Sequence, residues 1–111
     1  MLDTNLEASL LFDFYGQLLS PRQQEVMSLY HEENLSLAEI AEEFSISRAA
    51  VHDSLKKAEK ALAQYEEKLG LVARFVKTNQ AIEKIDEIID GMESNEKLEE
   101  IKSIIDKLEE A

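Results

Sequence analysis

The chain is 111 residues long and strongly acidic, with 24 aspartates and glutamates against 12 lysines and arginines and a formal charge of −12. That length gives one domain, or a small domain with an appended element, around a modest core, and zero cysteines exclude disulfides, thiol catalysis and cysteine-ligated zinc. No apolar run approaches the ~18 residues of a membrane span, and the acidic start MLDTNLEASLLFDFY lacks the cleavage site of a signal peptide, so a cytoplasmic protein without membrane insertion is expected.

Helical periodicity along the whole chain, with three glycines and one proline, predicts an all-α fold of about six helices, no strand and no flexible linker. Thr4-x-x-Glu7 opens the first helix, and Leu6, Leu10, Phe14 and Leu18 fall on one face at steps of four, widened by Leu11 and Tyr15. The second helix has a sharper start. Ser20 is its cap, Pro21 takes the first helical position, where a missing N–H costs nothing, and Gln23 completes a capping box. Val26, Met27, Leu29 and Tyr30 supply its core side, and His31-Glu32-Glu33-Asn34 breaks the pattern.

The stretch SLAEIAEEFSISRAAVHDSLKKAEKAL, residues 36–62, carries the most information, because several independent rules agree on a helix-turn-helix. Ser36 and Glu39 form a second capping box, and Leu37, Ile40, Ala41 and Phe44 give a short helix one apolar face. Phe44-Ser45-Ile46 is the turn, and Ser47 caps a longer helix that runs to about Gly70. Along it Val51, Leu55, Ala58 and Leu62 form the buried stripe, while small Ala41 lets the two helices cross closely. Ser47, Arg48, Ala49, His52, Asp53, Lys56 and Lys60 point away from that stripe. In a helix-turn-helix, the start of this helix enters the major groove and flanking groups hold phosphates. Arg48 can pair with guanine or a phosphate, His52 can reach a base edge, and Lys56 and Lys57 can neutralise backbone charge. Asp53 repels phosphates unless cytosine donates to it.

Charge opposes that reading. Residues 1–35 carry −5, residues 36–62 carry −1 and residues 63–111 carry −6. The helix from Ser47 to Lys60 is locally +2, a narrow basic strip on an acidic body. Few phosphates can be neutralised by it, so any DNA affinity is expected to be modest or to depend on a dimer or a partner. An acidic body also suits docking on a basic protein.

The segment LLSPRQQEVMSLYHEENLSLAEIAEEFSISRAAVHDSLKKAEKAL resembles region 4 of bacterial sigma-70-type factors, the part that reads the −35 promoter element. Nearly the whole chain is similar to the YlxM/p13 family of helix-turn-helix proteins of Gram-positive bacteria. The likeness rests on LLFDFYGQLLSPRQ, SLAEIAEEFSISRAAVHDSLKKAEK and the acidic tail starting YEEKLGLV. The resemblance implies phosphate-facing caps at Ser36 and Ser47 and groove-facing positions at Arg48, Ala49, His52 and Lys56. It also implies a partner among the components of the signal recognition particle. Two departures stand out. The turn usually carries glycine where this chain has Ser45, and a left-handed Ser45 costs roughly 1–2 kcal/mol. The chain also lacks the core-polymerase-binding and −10-reading regions of a working sigma factor.

Beyond Gly70 a second apolar stripe runs through Val72, Phe75, Val76, Ile82, Ile85, Ile88, Ile89 and Met92. Gly91 to Asn95 is the break, with Ser94 or Asn95 as the next cap, and Leu98, Ile101, Ile104, Ile105 and Leu108 continue the pattern. The isoleucines favour packing between helices. Two outcomes fit, a hairpin closed on its own core or a homodimer interface formed by this stripe or by helix one, and Ile85 and Ile105 are expected to lie in packed interfaces. His31 and His52 have no ligand spacing and read as ordinary surface histidines. The acid pairs Glu42-Glu43, Glu66-Glu67, Glu99-Glu100 and Glu109-Glu110 read as solvated helix faces. With no phosphate loop, nucleophile elbow or Cys/His cluster, no catalytic residue, cofactor or metal is expected, and the chain reads as a non-enzyme. The expected organisation is a helix-turn-helix domain over 1–70 and a helical hairpin or extension over 71–111. The expected function is that of a DNA-binding regulatory protein. The alternative is a protein- or RNA-binding module that modulates the particle's GTPase.

Overall fold

Six α-helices make up the regular structure of the described residues, 4–110, in this computed structural model. They are α1 (Thr4–Tyr15), α2 (Pro21–Met27), α3 (Leu37–Phe44), α4 (Arg48–Leu69), α5 (Leu71–Asp90) and α6 (Glu96–Glu110). The side chain of Thr4, and with it the expected Thr4–Glu7 capping box, lies outside the described residues. The chain divides into two compact units, Met1–Val72 and Ala73–Ala111.

In the first unit α1 is rotated from the sequence expectation. Leu6 is 49% exposed, Phe14 39% and Leu18 57%, whereas Tyr15 is buried and Ala8, Leu11 and Phe12 are half-buried beside it. The cause is Gly16. There the winding tightens to a 3-10 turn over Gly16–Leu18, so the step of four from Phe14 to Leu18 is lost and Leu19 turns inward instead. The ring of Phe12 lies against Gly16 so closely that a Cβ there would sit 2.8 Å from its Cδ1. Gln24 secures this corner by donating from Nε2 to the Leu19 carbonyl at 2.9 Å.

α2 begins as its sequence dictates. Ser20 Oγ accepts from the Gln23 N–H at 3.3 Å, Gln23 Oε1 accepts from the Ser20 N–H at 3.2 Å, and Pro21 follows the cap. Past Met27 the helix does not stop but widens into a π-helical turn, Ser28–Glu32, closed by the Glu33 N–H on the Ser28 carbonyl at 3.1 Å. The wider turn shifts the phase of the helix, so Val26 and Met27 are buried while Tyr30 is 38% exposed. His31 is no surface histidine. It is half-buried, its ring stands edge-on to Tyr30 at 5.0 Å, and its buried Nε2 has no partner among the described residues.

The core of this unit gathers Tyr15, Leu19, Val26, Met27, Ile40, Val51, Leu55 and Leu62, with Ala41 and Ala58 allowing close helix approach. A polar node closes its base. Tyr15 Oη donates to Glu66 Oε1 at 2.6 Å and accepts from the Leu71 N–H at 3.0 Å, and the same Glu66 oxygen accepts from the Val72 N–H at 2.9 Å. Two of the four unpaired N–H groups at the start of α5 are thereby satisfied. Glu66 is therefore a structural acceptor and not part of a solvated acid pair.

The second unit is a helical hairpin formed by the rest of α5 and by α6. Asn95 caps α6, its Oδ1 accepting from the Leu98 N–H at 3.0 Å. The core is one seam of Ile82, Ile89, Leu98 and Ile105. Ile105 is packed as expected, but Ile85 is 43% exposed, because two helices can bury only one line of side chains each. Among the described residues no helix is long and apolar enough to cross a membrane.

Candidate nucleic-acid interface

The helix-turn-helix is assembled from short-range hydrogen bonds. Ser36 Oγ accepts from the Glu39 N–H at 3.1 Å and Glu39 Oε1 accepts from the Ser36 N–H at 3.2 Å, fixing the start of α3. At its end Ser45 is left-handed, φ 54° and ψ 44°. The Ile46 N–H bonds the Ala41 carbonyl at 3.0 Å and the Ser45 N–H bonds the Glu42 carbonyl at 3.3 Å. This pair of bonds is a Schellman closure, normally supplied by glycine. The strain expected of Ser45 is present, and the two recovered carbonyl bonds offset it. Ser47 then caps α4, its Oγ accepting from the Ala50 N–H at 3.0 Å.

α4 is held by the predicted stripe, since Val51, Leu55, Ala58 and Leu62 are all buried. Arg22 of α2 lies 4.4 Å from the ring centre of Phe44 and braces the end of α3, a cation–π contact that only the folded chain reveals. On the opposite side of α4, Ser47, Arg48, Ala49, His52, Asp53, Lys56, Lys57 and Lys60 are all exposed, and Ser36 is exposed at the start of α3. The site residues expected from sequence are thus all accessible, and those on α4 share its first three turns.

Their charges are not equally free. Lys57 Nζ sits 3.0 Å from Asp53 Oδ2 and Lys56 Nζ 3.8 Å from Glu59 Oε2, both across one helical turn. Such exposed pairs hold weakly and are screened by salt. The first of them nonetheless neutralises the carboxylate that would otherwise face phosphates. Among the described residues Arg48 has no ion-pair partner. α3 contributes the opposite sign, with Glu39, Glu42 and Glu43 all exposed. The Asp53–Lys57 pair could have been read from its four-residue spacing, whereas Arg22 and Tyr15 carry no local signal. Among the described residues no group of three or more His, Cys, Asp or Glu could hold a metal ion.

Comparison with known proteins agrees with this geometry. The family model described as "Putative helix-turn-helix protein, YlxM / p13 like" matches residues 2–106. The chain is 48% identical over 90 residues to a UPF0122 protein of Halalkalibacterium halodurans, spanning 81% of this chain and 83% of that one. It is 49% identical over 83 residues to a UPF0122 protein of Desulforamulus reducens, spanning 75% and 71%. A UPF0122 protein of Geobacillus kaustophilus is 43% identical over 89 residues, spanning 80% and 81%.

Proposed function

The chain belongs to the YlxM/p13-like family of helix-turn-helix proteins, and from that premise we propose that α3 and α4 bind DNA weakly as part of a regulatory protein. Arg48, Ala49, His52 and Lys56 meet the major groove, while Ser36, Ser47 and Lys57 meet the phosphates. The observation that carries this reading is the exposed row on α4, which starts at the Ser47 cap and has at the first helical position an arginine with no ion-pair partner among the described residues. Backbone N–H groups at that end add a partial positive charge suited to phosphate. Fluorescence anisotropy with duplex fragments at low salt tests it. Arg48→Ala with Lys56→Ala is expected to cost about 1–3 kcal/mol and to flatten the salt dependence. Equal binding by wild type and variant would refute this assignment.

A second reading is favoured by the charge of −12 and by the three glutamates exposed on α3. In it the protein acts in the signal recognition particle pathway and docks on the particle's protein or its RNA complex, with the helix-turn-helix serving as a protein- or RNA-binding module. Acidic surfaces meet basic partners quickly and in a salt-sensitive way. Affinity for random duplex DNA at physiological salt should then be micromolar or weaker, and the particle should bind more tightly. Side-by-side titrations at two salt concentrations separate the readings. Nanomolar, sequence-selective duplex binding without affinity for the particle leaves a conventional transcription regulator.

A further inference from the structure

The C-terminal hairpin is apolar on two sides, only one of which it can use itself. Ile82 and Ile89 of α5 meet Leu98 and Ile105 of α6 in the seam. Ile85 and Ile88 of α5, Met92 in the turn after it, and Ile101, Ile104 and Leu108 of α6 remain 43–66% exposed.

These six side chains form one face. At about 100° per residue, a residue three positions after a seam residue lies about 60° to one side of it, and a residue six positions after lies about 120° to that side. Ile85, Ile101 and Leu108 occupy the first position, Ile88 and Ile104 the second, and Met92 follows in the turn after α5. α6 runs back along α5, so the sense of rotation seen from one end reverses between the two helices. Both displacements therefore fall on the same side of the hairpin. The other side is polar. Glu83, Asp90, Glu99 and Asp106 each follow a seam residue by one position, and Lys102 Nζ reaches across to Asp90 Oδ1 at 3.5 Å.

From this arrangement we infer that the face is covered by the same face of a second copy, two hairpins closing into a four-helix bundle. Its exposed apolar area is on the order of 600 Å², the upper end of the largest patch on a typical monomer and most of the ~800 Å² that each partner of a standard interface contributes. The acids named above lie on the far side, and the exposed Lys97, one position before Leu98, is the charge that falls within the face. The border of the face carries Lys84, Glu100 and Lys107, all exposed. A two-fold axis brings Glu100 of one copy within reach of lysines of the other, which makes the patch self-complementary. Two like hairpins also supply the four apolar helices that such a bundle needs.

Sedimentation equilibrium on the full chain, from low micromolar to near-millimolar concentration, tests the inference. Wild type should reach twice the 12.6 kDa chain mass. Ile88→Lys with Ile104→Lys, at positions already more than half exposed, should retain helical content and weaken association by about 100-fold or more, since each copy would bury two unpaired charges. Leu6→Lys with Leu18→Lys, on the exposed side of α1 and the turn after it, should leave the dimer intact. Should the lysine pair lose helix, Ile88→Gln with Ile104→Gln gives the same comparison without charge. A wild type that stays single throughout would overturn the inference. So would a dimer untouched by the hairpin variants and split by the α1 variant.

Discussion

The two units contain the same kind of element but enclose it differently. In the first, Tyr15, Val26, Met27, Ile40, Val51 and Leu62 each keep less than 2% of their surface. In the second, the best-buried side chains keep 6–7%, and more large apolar residues stand outside the seam than in it. The difference comes from the number of helices around each core. Four helices can surround a side chain from all directions, whereas a two-helix hairpin leaves every seam residue with an open flank. A unit that closes on itself can hold a binding helix in fixed geometry. A unit that cannot close presents a surface instead.

The largest contrast is expected between truncations at Ile40 and at Ile85. Ile40→Ala should cost about 3–4 kcal/mol, because its surroundings are filled on every side and cannot collapse into the hole. Ile85→Ala, studied at dilution, should cost less than about 1 kcal/mol, as expected for a half-exposed position. The chain supplies its own probe, since its three tyrosines, Tyr15, Tyr30 and Tyr65, all lie in the first unit. Urea melts followed by tyrosine fluorescence report that unit, and helical circular dichroism reports both. Equal losses in the two variants would mean that Ile85 is as enclosed as Ile40.

Gly16 tests the corner that rotates α1. A methyl group there would sit 2.8 Å from the half-buried Phe12 ring, which must shift to admit it. Gly16→Ala should therefore destabilise the first unit by about 1–3 kcal/mol, the usual range for an overpacked site. Gly91, by contrast, has nothing nearer than the Ile88 carbonyl oxygen at 3.6 Å, so Gly91→Ala should be close to neutral. Thermal melts of the two variants give the contrast directly.

Tyr15 offers a pH handle on the first unit alone. Burial, followed by its hydrogen bond to Glu66, pushes the phenol above its ordinary value near 10. The neutral form is thus favoured by folding. Its contribution is complete below pH 10 and is lost as pH rises from there through the raised value. Tyr15→Phe should cost about 1–2 kcal/mol at neutral pH and should lose less stability than wild type between neutral pH and strong alkali. Parallel slopes for the two proteins would show that this hydroxyl is not the group responsible.

Much of the fold was legible because it is written locally. A capping box spans four residues, the α4 stripe spans about three turns, and Gly70 at φ 63° ends α4 where the sequence pattern stops. These features do not depend on what packs above them. What was missed depends on tertiary context or on helix phase. The lost step from Phe14 to Leu18 is set by a 3-10 turn, and the widening after Met27 by a π turn, neither of which has a periodic signature before the chain is folded. The Tyr15–Glu66 bond joins residues 51 positions apart, so no window along the chain could reveal it. Ile85 and Ile105 look alike in the heptad pattern, and what separates them is which line of side chains faces the one neighbouring helix: Ile105 lies in the seam and Ile85 beside it. At the candidate interface, the caps Ser36 and Ser47 and the exposed row after Ser47 follow from spacing. The free state of Arg48 and the pairing of Lys57 follow from side-chain geometry.

The smallest expected effect is a gain, and it lies in the turn between α3 and α4. Ser45 holds a left-handed conformation that glycine adopts without cost, while its N–H and that of Ile46 complete the closure of α3. Ser45→Gly keeps both backbone bonds and removes the Cβ, so the strain of roughly 1–2 kcal/mol is relieved. The greater freedom of glycine in the unfolded chain takes back part of this, about 0.4–1 kcal/mol. The net expectation is a stabilisation of a few tenths to about 1 kcal/mol, confined to the first unit and visible in its tyrosine-reported melt. Nucleic-acid affinity should not change, because the helices keep their crossing and Ser45 is not among the groups assigned to DNA. Destabilisation by glycine would show that the Ser45 side chain has a favourable role in the turn that its backbone geometry does not reveal.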